Sequence, residues 1–207
     1  IGKTNMPELA IGSHTTNSVF GSTSNAYDYS KSAGGSSGGA AVAVASDLVP
    51  FADGTDMMGS VRNPASFANI YGFRPTPGLI PEERPYVKKT NTIPILSTTG
   101  CLARTPNEIT ILLDAIKGKS SLDPLSFDIK ASFQKVEYKD SEISNLKLAW
   151  LADKNRKYRI ENGILEMCEK SLNYIEKKNF KIEYLKTNID TNILWESWTS
   201  LRAKNLY

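Results

Sequence analysis

Two short segments hold most of the residues able to do chemistry: Gly34-Gly35-Ser36-Ser37-Gly38-Gly39 and Asp53-Gly54-Thr55-Asp56-Met57-Met58-Gly59-Ser60-Val61-Arg62-Asn63-Pro64-Ala65. The first sets two hydroxyls between two pairs of glycines, whose missing Cβ lets the backbone take positive φ and come close to another group. A flexible linker has the same composition, but the apolar small-residue run Ala40 to Ala45 follows directly and argues for a packed loop. A phosphate cradle fits part of the pattern. The Gly-Lys-Ser/Thr ending of a P-loop is absent, which sets nucleotide hydrolysis aside and leaves anion binding open.

The second segment places Ser60 behind a small, turn-prone run, with Thr55, Asp56 and Arg62 close by. Successive backbone N–H groups at Met57, Met58 and Gly59 can converge on a developing oxyanion, the preorganised device that acyl transfer requires. On spacing alone, a structural serine in a turn explains Ser60 equally well, and Asp56 with Arg62 reads equally as an ordinary ion pair. A serine nucleophile also needs a base. The single histidine, His14, stands between Ser13 and Thr15 and reads as a hydrogen-bonded structural side chain, so chemistry at Ser60 calls for a different base.

The elements that must position these residues are legible from pattern. Ala40 to Ala45 reads as a buried helix running straight out of the Gly/Ser loop, which puts the loop at a helix N-terminus, where unpaired N–H groups gather. Leu48-Val49-Pro50-Phe51-Ala52 reads as a short buried strand. Thr105, Pro106 and Glu108 supply an N-cap, a first-turn proline and a capping-box partner for a helix carrying Ile109, Leu112, Leu113 and Ile116, ended by Gly118. Residues 119–145 are polar and read as a surface excursion. Leu146 to Leu151 alternates as a strand, Ile164, Leu165, Cys168, Leu172 and Ile175 share a helical face, and Phe180 to Tyr184 alternates again: a β-α-β unit with a parallel, right-handed crossover.

Composition bounds the function. With 40% hydrophobic and 23% charged residues, the 207-residue chain has an ordinary globular balance. Its net charge of +3 comes from interspersed charges, so no footprint for nucleic acid is present. Two cysteines, Cys101 and Cys168, lie far apart and without metal-ligand spacing to each other or to His14, against a disulfide scaffold and against a zinc enzyme. No apolar run approaches the roughly 20 residues of a membrane span, and Ile1 to Asn5 lacks the pattern of a signal peptide, so a cytoplasmic protein is expected. The chain starts without Met and stops at Leu206-Tyr207 inside a helical pattern, so both ends are expected to be cut.

Together the two segments resemble the amidase signature, which joins a GGSSGG loop to a GTDxGGSxRxPA segment, with Ser60 here following Ser36 by 24 residues. Gly2-Lys3-Thr4-Asn5-Met6 resembles the family's GKTN stretch, Tyr71-Gly72-Phe73-Arg74-Pro75-Thr76 its GLKPT stretch, and Gly100-Cys101-Leu102-Ala103-Arg104-Thr105 its GPMAR segment. Residues 146–185 are similar to its later β-α-β. The resemblance implies an α/β fold with a mixed β-sheet core flanked by helices. Residues 1–207 would be part of a single amidase domain truncated at both ends, with a signature core over 1–117 and a supporting β-α-β region over 118–207.

The resemblance further implies an amidase that hydrolyses a carboxylic amide C–N bond through an acyl-enzyme on Ser60. Ser36 would be the proton relay, held by a cis peptide, with Met57, Met58 and Gly59 as the oxyanion-hole stretch and Thr55, Asp56, Arg62 and Ser37 in support. Met58 stands where the pattern has glycine, so a positive φ there would strain the loop, and its side chain is expected to narrow the acyl pocket. The implied base is a lysine upstream of the GKTN stretch. Lys3 is not that residue and nothing else in the chain matches it, so the chain is expected to be catalytically incomplete. No metal or organic cofactor is implied; the partner is a small-molecule amide, with no nucleic acid bound directly and no membrane. The alternative is the glutaminase-like component of a tRNA-dependent amidotransferase, whose glutamine-selecting residues would lie beyond Tyr207. A binding module that has lost catalysis is disfavoured by the presence of both Ser36 and Ser60.

Overall fold

The computed structural model describes residues 2–82, 96–135, 139, 142–143, 146–151, 160–178, 180–185 and 190–206. The chain divides into two compact units, residues 1–136 and 137–207. In the first, a small hairpin pairs β1 (Thr16–Asn17) with β2 (Gly21–Ser22), and a three-stranded sheet is formed by β3 (Phe51–Asp56), β4 (Tyr71–Phe73) and β5 (Thr98–Ala103). β5 is central and antiparallel to both neighbours, with Asp56 opposite Thr98 and Phe73 opposite Cys101.

Alternation along β5 builds two layers. Leu102 faces α1 (Gly38–Ala45) and α2 (Arg62–Phe67), where Ala40, Ala41, Val44, Val61, Ala65 and Ala68 complete a buried cluster. Cys101 and Ala103 point to the other face and pack with Ile109, Leu112 and Leu113 of α3 (Pro106–Ile116). Small side chains on α1 and α2 let these helices lie close to the sheet and to each other.

The capping signals are realised as read. Thr105 accepts from the Glu108 N–H at 3.2 Å while Glu108 accepts from the Thr105 N–H at 2.9 Å, with Pro106 opening α3. The expected strand over Leu48–Ala52 is corrected: the apolar run is split between a helix end and a strand. Asp47 takes a left-handed φ of 59°, Leu48 N–H donates to Ala43 O at 2.9 Å to close α1, and Leu48 is exposed, so β3 begins only at Phe51. Arg104 braces that helix end, donating to Val44 O at 2.8 Å and Val49 O at 3.1 Å and pairing with Asp47 at 2.9 Å.

The second unit contains β6 (Leu148–Trp150), α4 (Ile164–Glu176), β7 (Ile182–Tyr184) and α5 (Thr191–Leu206). β6 and β7 pair in parallel with Leu148 opposite Ile182, so the β-α-β reading holds over the described residues. On α4 the inward face is Leu165, Cys168, Leu172 and Ile175, all half-buried, while Ile164 at the first turn is exposed. The α/β class with a mixed set of strands is as expected; its parallel pair lies in this unit and its antiparallel sheet in the first. Among the described residues, no helix is long and apolar enough to cross a membrane.

Candidate active site

β3 delivers the Asp56 carboxylate to a fully buried position, and the chain then wraps around it. Oδ1 accepts from Gly59 N–H at 2.7 Å, and Oδ2 accepts from Val61 N–H at 3.2 Å and Arg62 N–H at 3.3 Å. The Arg62 guanidinium closes the fork, Nε to Oδ2 and Nη2 to Oδ1, each at 2.9 Å. Burial pushes the Asp56 carboxyl up, but the Arg62 guanidinium and the three backbone N–H groups outweigh it and hold the pKa down at about 2. The same pair raises Arg62. One charged group therefore shapes the whole turn that carries Ser60.

The positive φ of this turn, 106°, falls on Gly59, where a Cβ would also stand 2.7 Å from the Asn63 side chain. Met58 keeps a negative-side φ, so the expected strain at its position does not arise, and its side chain is exposed rather than pressed into a pocket. Gly59 N–H, grouped with Met57 and Met58 as an oxyanion donor, is already spent on Asp56. Among the described residues, the N–H groups of Met57, Met58 and Ser60 take no hydrogen-bond partner.

The glycine loop is tied to this turn by the Ser37 N–H, which donates to Ser60 O at 3.1 Å. The Gly35–Ser36 peptide is cis. Thr15, itself buried, holds the loop from below: its hydroxyl reaches Gly34 O at 2.9 Å and Ser36 O at 3.2 Å and accepts from Gly38 N–H at 3.0 Å. A Cβ on Gly38 would collide with Thr15 Oγ1, so only glycine fits there. Gly39 N–H donates to Asn5 O at 3.3 Å. The first two N–H groups of α1 are thus occupied by Thr15 and Asn5, which corrects the reading that they gather unpaired for an anion.

Ser36, Ser37, Asp56, Met57, Gly59, Ser60 and Arg62 are brought into one neighbourhood. Ser36 Oγ is buried and makes no hydrogen bond among the described residues, while the Ser37 side chain packs on Gly54 of β3. Thr55 is not part of the cluster: strand alternation turns it outward, exposed, with no side-chain hydrogen bond among the described residues. His14 is exposed and its Nδ1 pairs with Ser32 Oγ at 2.7 Å, remote in bonding from both catalytic candidates. No group of three His, Cys, Asp or Glu side chains among the described residues is arranged to hold a metal ion.

Three contributors carry no sequence signal of their own. Thr15 and Asn5 cap α1 from a segment more than 20 residues upstream in the chain, and Arg74 reaches Asp56 from beyond β4. Only the GLKPT-like stretch around Arg74 pointed to its neighbourhood.

Comparison with known proteins agrees with this architecture. The Amidase family profile matches residues 1–199, and the chain belongs to the amidase signature family. It is 40% identical over 134 residues to the A chain component of glutamyl-tRNA(Gln) amidotransferase from Thermus thermophilus, a match covering 65% of this chain and 28% of that protein. Among solved structures, a bacterial aryl acylamidase of the amidase signature family superposes with a TM-score of 0.81 at 26% identity, over 96% of this chain and 40% of that one. The corresponding component of the Thermotoga maritima glutamyl-tRNA(Gln) amidotransferase superposes with a TM-score of 0.77 at 28% identity, over 99% of this chain and 50% of that one. The chain therefore spans half or less of the length of these relatives.

Proposed function

We propose that the protein hydrolyses a small-molecule carboxylic amide through an acyl-enzyme, with Ser60 as nucleophile and Ser36 as proton relay. The observation that carries this reading is the Ser36 hydroxyl: buried, without a hydrogen bond among the described residues, and one residue from the N–H that holds Ser60 O at 3.1 Å. A buried hydroxyl left unpaired costs about 1–3 kcal/mol, and such a cost persists where the group has work to do.

In the reaction, Ser60 Oγ attacks the amide carbonyl and its proton passes to Ser36, whose own proton moves to the base that the family resemblance implies, a lysine ahead of the Gly2–Asn5 stretch. The carbonyl oxygen becomes an oxyanion facing the N–H groups of Met57, Met58 and Ser60, which have no other partner among the described residues. The C–N bond breaks as the proton returns to the leaving nitrogen, and water then releases the acid by the same path. Asp56, with Arg62, acts by shaping the turn, and Ser37 by tying the loop to Ser60. Residues 1–117 form the signature core and 118–207 its support within one amidase domain. The reaction uses no metal or organic cofactor and takes place in the cytoplasm, where Cys101 and Cys168 stay reduced.

The identity to the Thermus amidotransferase component favours a second reading, in which the amide is glutamine and the chain works in a complex. Steady-state assays with glutamine beside a panel of simple amides, together with copurification of partner proteins, separate the two. For either reading, a fluorophosphonate should label Ser60. Peptide mass mapping that places the adduct on Ser36, or finds none in a folded and active protein, overturns the assignment.

A further inference from the structure

We infer that Arg74 is a positioning residue for the acyl-transfer step: by gripping the Asp56 carbonyl oxygen it aims the Met57 N–H at the oxyanion. The inference rests on the proposed role of Ser60 and adds a residue that the signature pattern does not assign. Arg74 follows β4, on the opposite side of β5 from β3. From there its Nε donates to Asp56 O at 3.2 Å and lies 3.6 Å from Asp56 Oδ1, while its Nη2 donates to Leu96 O at 3.0 Å. The guanidinium thus bridges the end of β3 to the residue that leads into β5, and it is only 27% exposed.

The physical step is the planarity of the peptide unit. Asp56 C=O and Met57 N–H belong to one rigid plane and point in opposite directions, so fixing the oxygen fixes the direction of the hydrogen. Asp56 is the last residue of β3, and beyond it the ladder no longer restrains the backbone. The Asp56 side chain orients Gly59, Val61 and Arg62, but it makes no bond to the Met57 peptide. Arg74 supplies the missing restraint. A charged donor on the carbonyl also polarises the same peptide and makes its N–H a stronger donor, as in any chain of hydrogen bonds. A planar guanidinium can hold the Asp56 and Leu96 carbonyls at once, which a lysine ammonium of fixed reach does less well.

The test uses Arg74→Met, which keeps most of the side-chain bulk, and Arg74→Lys, which keeps the charge but not the fork. Wild type and both variants are assayed for amide turnover, for the rate of fluorophosphonate labelling at Ser60, and for the ratio of rates on an aryl ester and its thionoester. Sulfur is a poor hydrogen-bond acceptor, so the thiono substrate draws little on the oxyanion donors. Deleting one such donor costs about 10²–10³ in kcat, so a donor left in place but misaimed should cost about ten- to a hundredfold. Arg74→Met should lose that factor in kcat with KM nearly unchanged, the ester-to-thionoester ratio should fall in step, and Arg74→Lys should lie between.

A folded Arg74→Met with an unchanged ester-to-thionoester ratio overturns the inference and leaves Arg74 a merely structural brace. If Arg74→Met fails to fold, the ratio in Arg74→Lys decides by the same criterion. Wild-type protein that is never labelled at Ser60 overturns the proposed function itself, a different result from labelling that is indifferent to Arg74.

Discussion

Replacing the Thr15 hydroxyl by a methyl group should loosen the serine loop even though Thr15 lies outside both signature segments. In Thr15→Val the volume is nearly preserved, but the oxygen that accepts from Gly38 N–H at 3.0 Å and donates to Gly34 O at 2.9 Å or Ser36 O at 3.2 Å is gone. Thr15 is buried, so water cannot replace it. One donor at the first turn of α1 and at least one carbonyl of the loop are left unpaired, each at about 1–3 kcal/mol, giving about 3 kcal/mol in all. Thr15→Ser keeps the oxygen and loses one methyl group, for about 1 kcal/mol. Urea unfolding followed by tryptophan fluorescence measures the difference, and the rate of Ser60 labelling reports the loop itself. Thr15→Val should fall well below Thr15→Ser in both. Equal stability of the two variants would mean that the methyl, not the hydroxyl, holds the loop, and the argument would be refuted.

Three further outcomes follow from the same geometry. Ser36→Ala should lower kcat by orders of magnitude with KM little changed, because a relay acts during proton transfer; a raised KM at normal kcat would make it a binding residue. The Asp56 pKa is depressed from 3.8 to about 2, so its ionised form stabilises the fold fully above pH 4 and this contribution is lost as pH falls toward 2. It amounts to about 2 kcal/mol, and Asp56→Asn, already less stable at neutral pH, should show a flatter acid limb in denaturation midpoints between pH 4 and 2. Gly38→Ala drives a Cβ into Thr15 Oγ1 and should cost more than 2 kcal/mol, where Gly2→Ala, with nothing within 4 Å, should be neutral by thermal melt.

The two serine segments, their order and the helix that follows the first are written locally, and so were legible: a glycine pair, a cap box or a run of small apolar residues acts within a few positions of itself. The capping of α3 and the parallel β-α-β of the second unit are of this kind. The break at Asp47 was not, because an apolar run looks continuous until a left-handed residue divides it. The outward face of Thr55 follows from strand alternation once β3 is known to begin at Phe51, a boundary the pattern misplaced by three residues.

Which groups actually hold the site in shape was decided by tertiary structure alone. The chain announces Asp56 and Arg62 as neighbours, but that Asp56 is fully buried and spends an oxygen on Gly59 N–H depends on β3, β5 and α2 closing around it. Thr15 and Asn5 cap a helix that starts at Gly38, and Arg74 grips a carbonyl across the width of a strand. Hydrogen bonds between residues 18 to 34 positions apart leave no periodicity in the sequence, because each partner is an ordinary backbone group that any residue carries. Residue types and spacing determined which chemistry the chain is equipped for; the direction in which each donor points was determined only when distant backbone groups were packed together and had to find partners out of water.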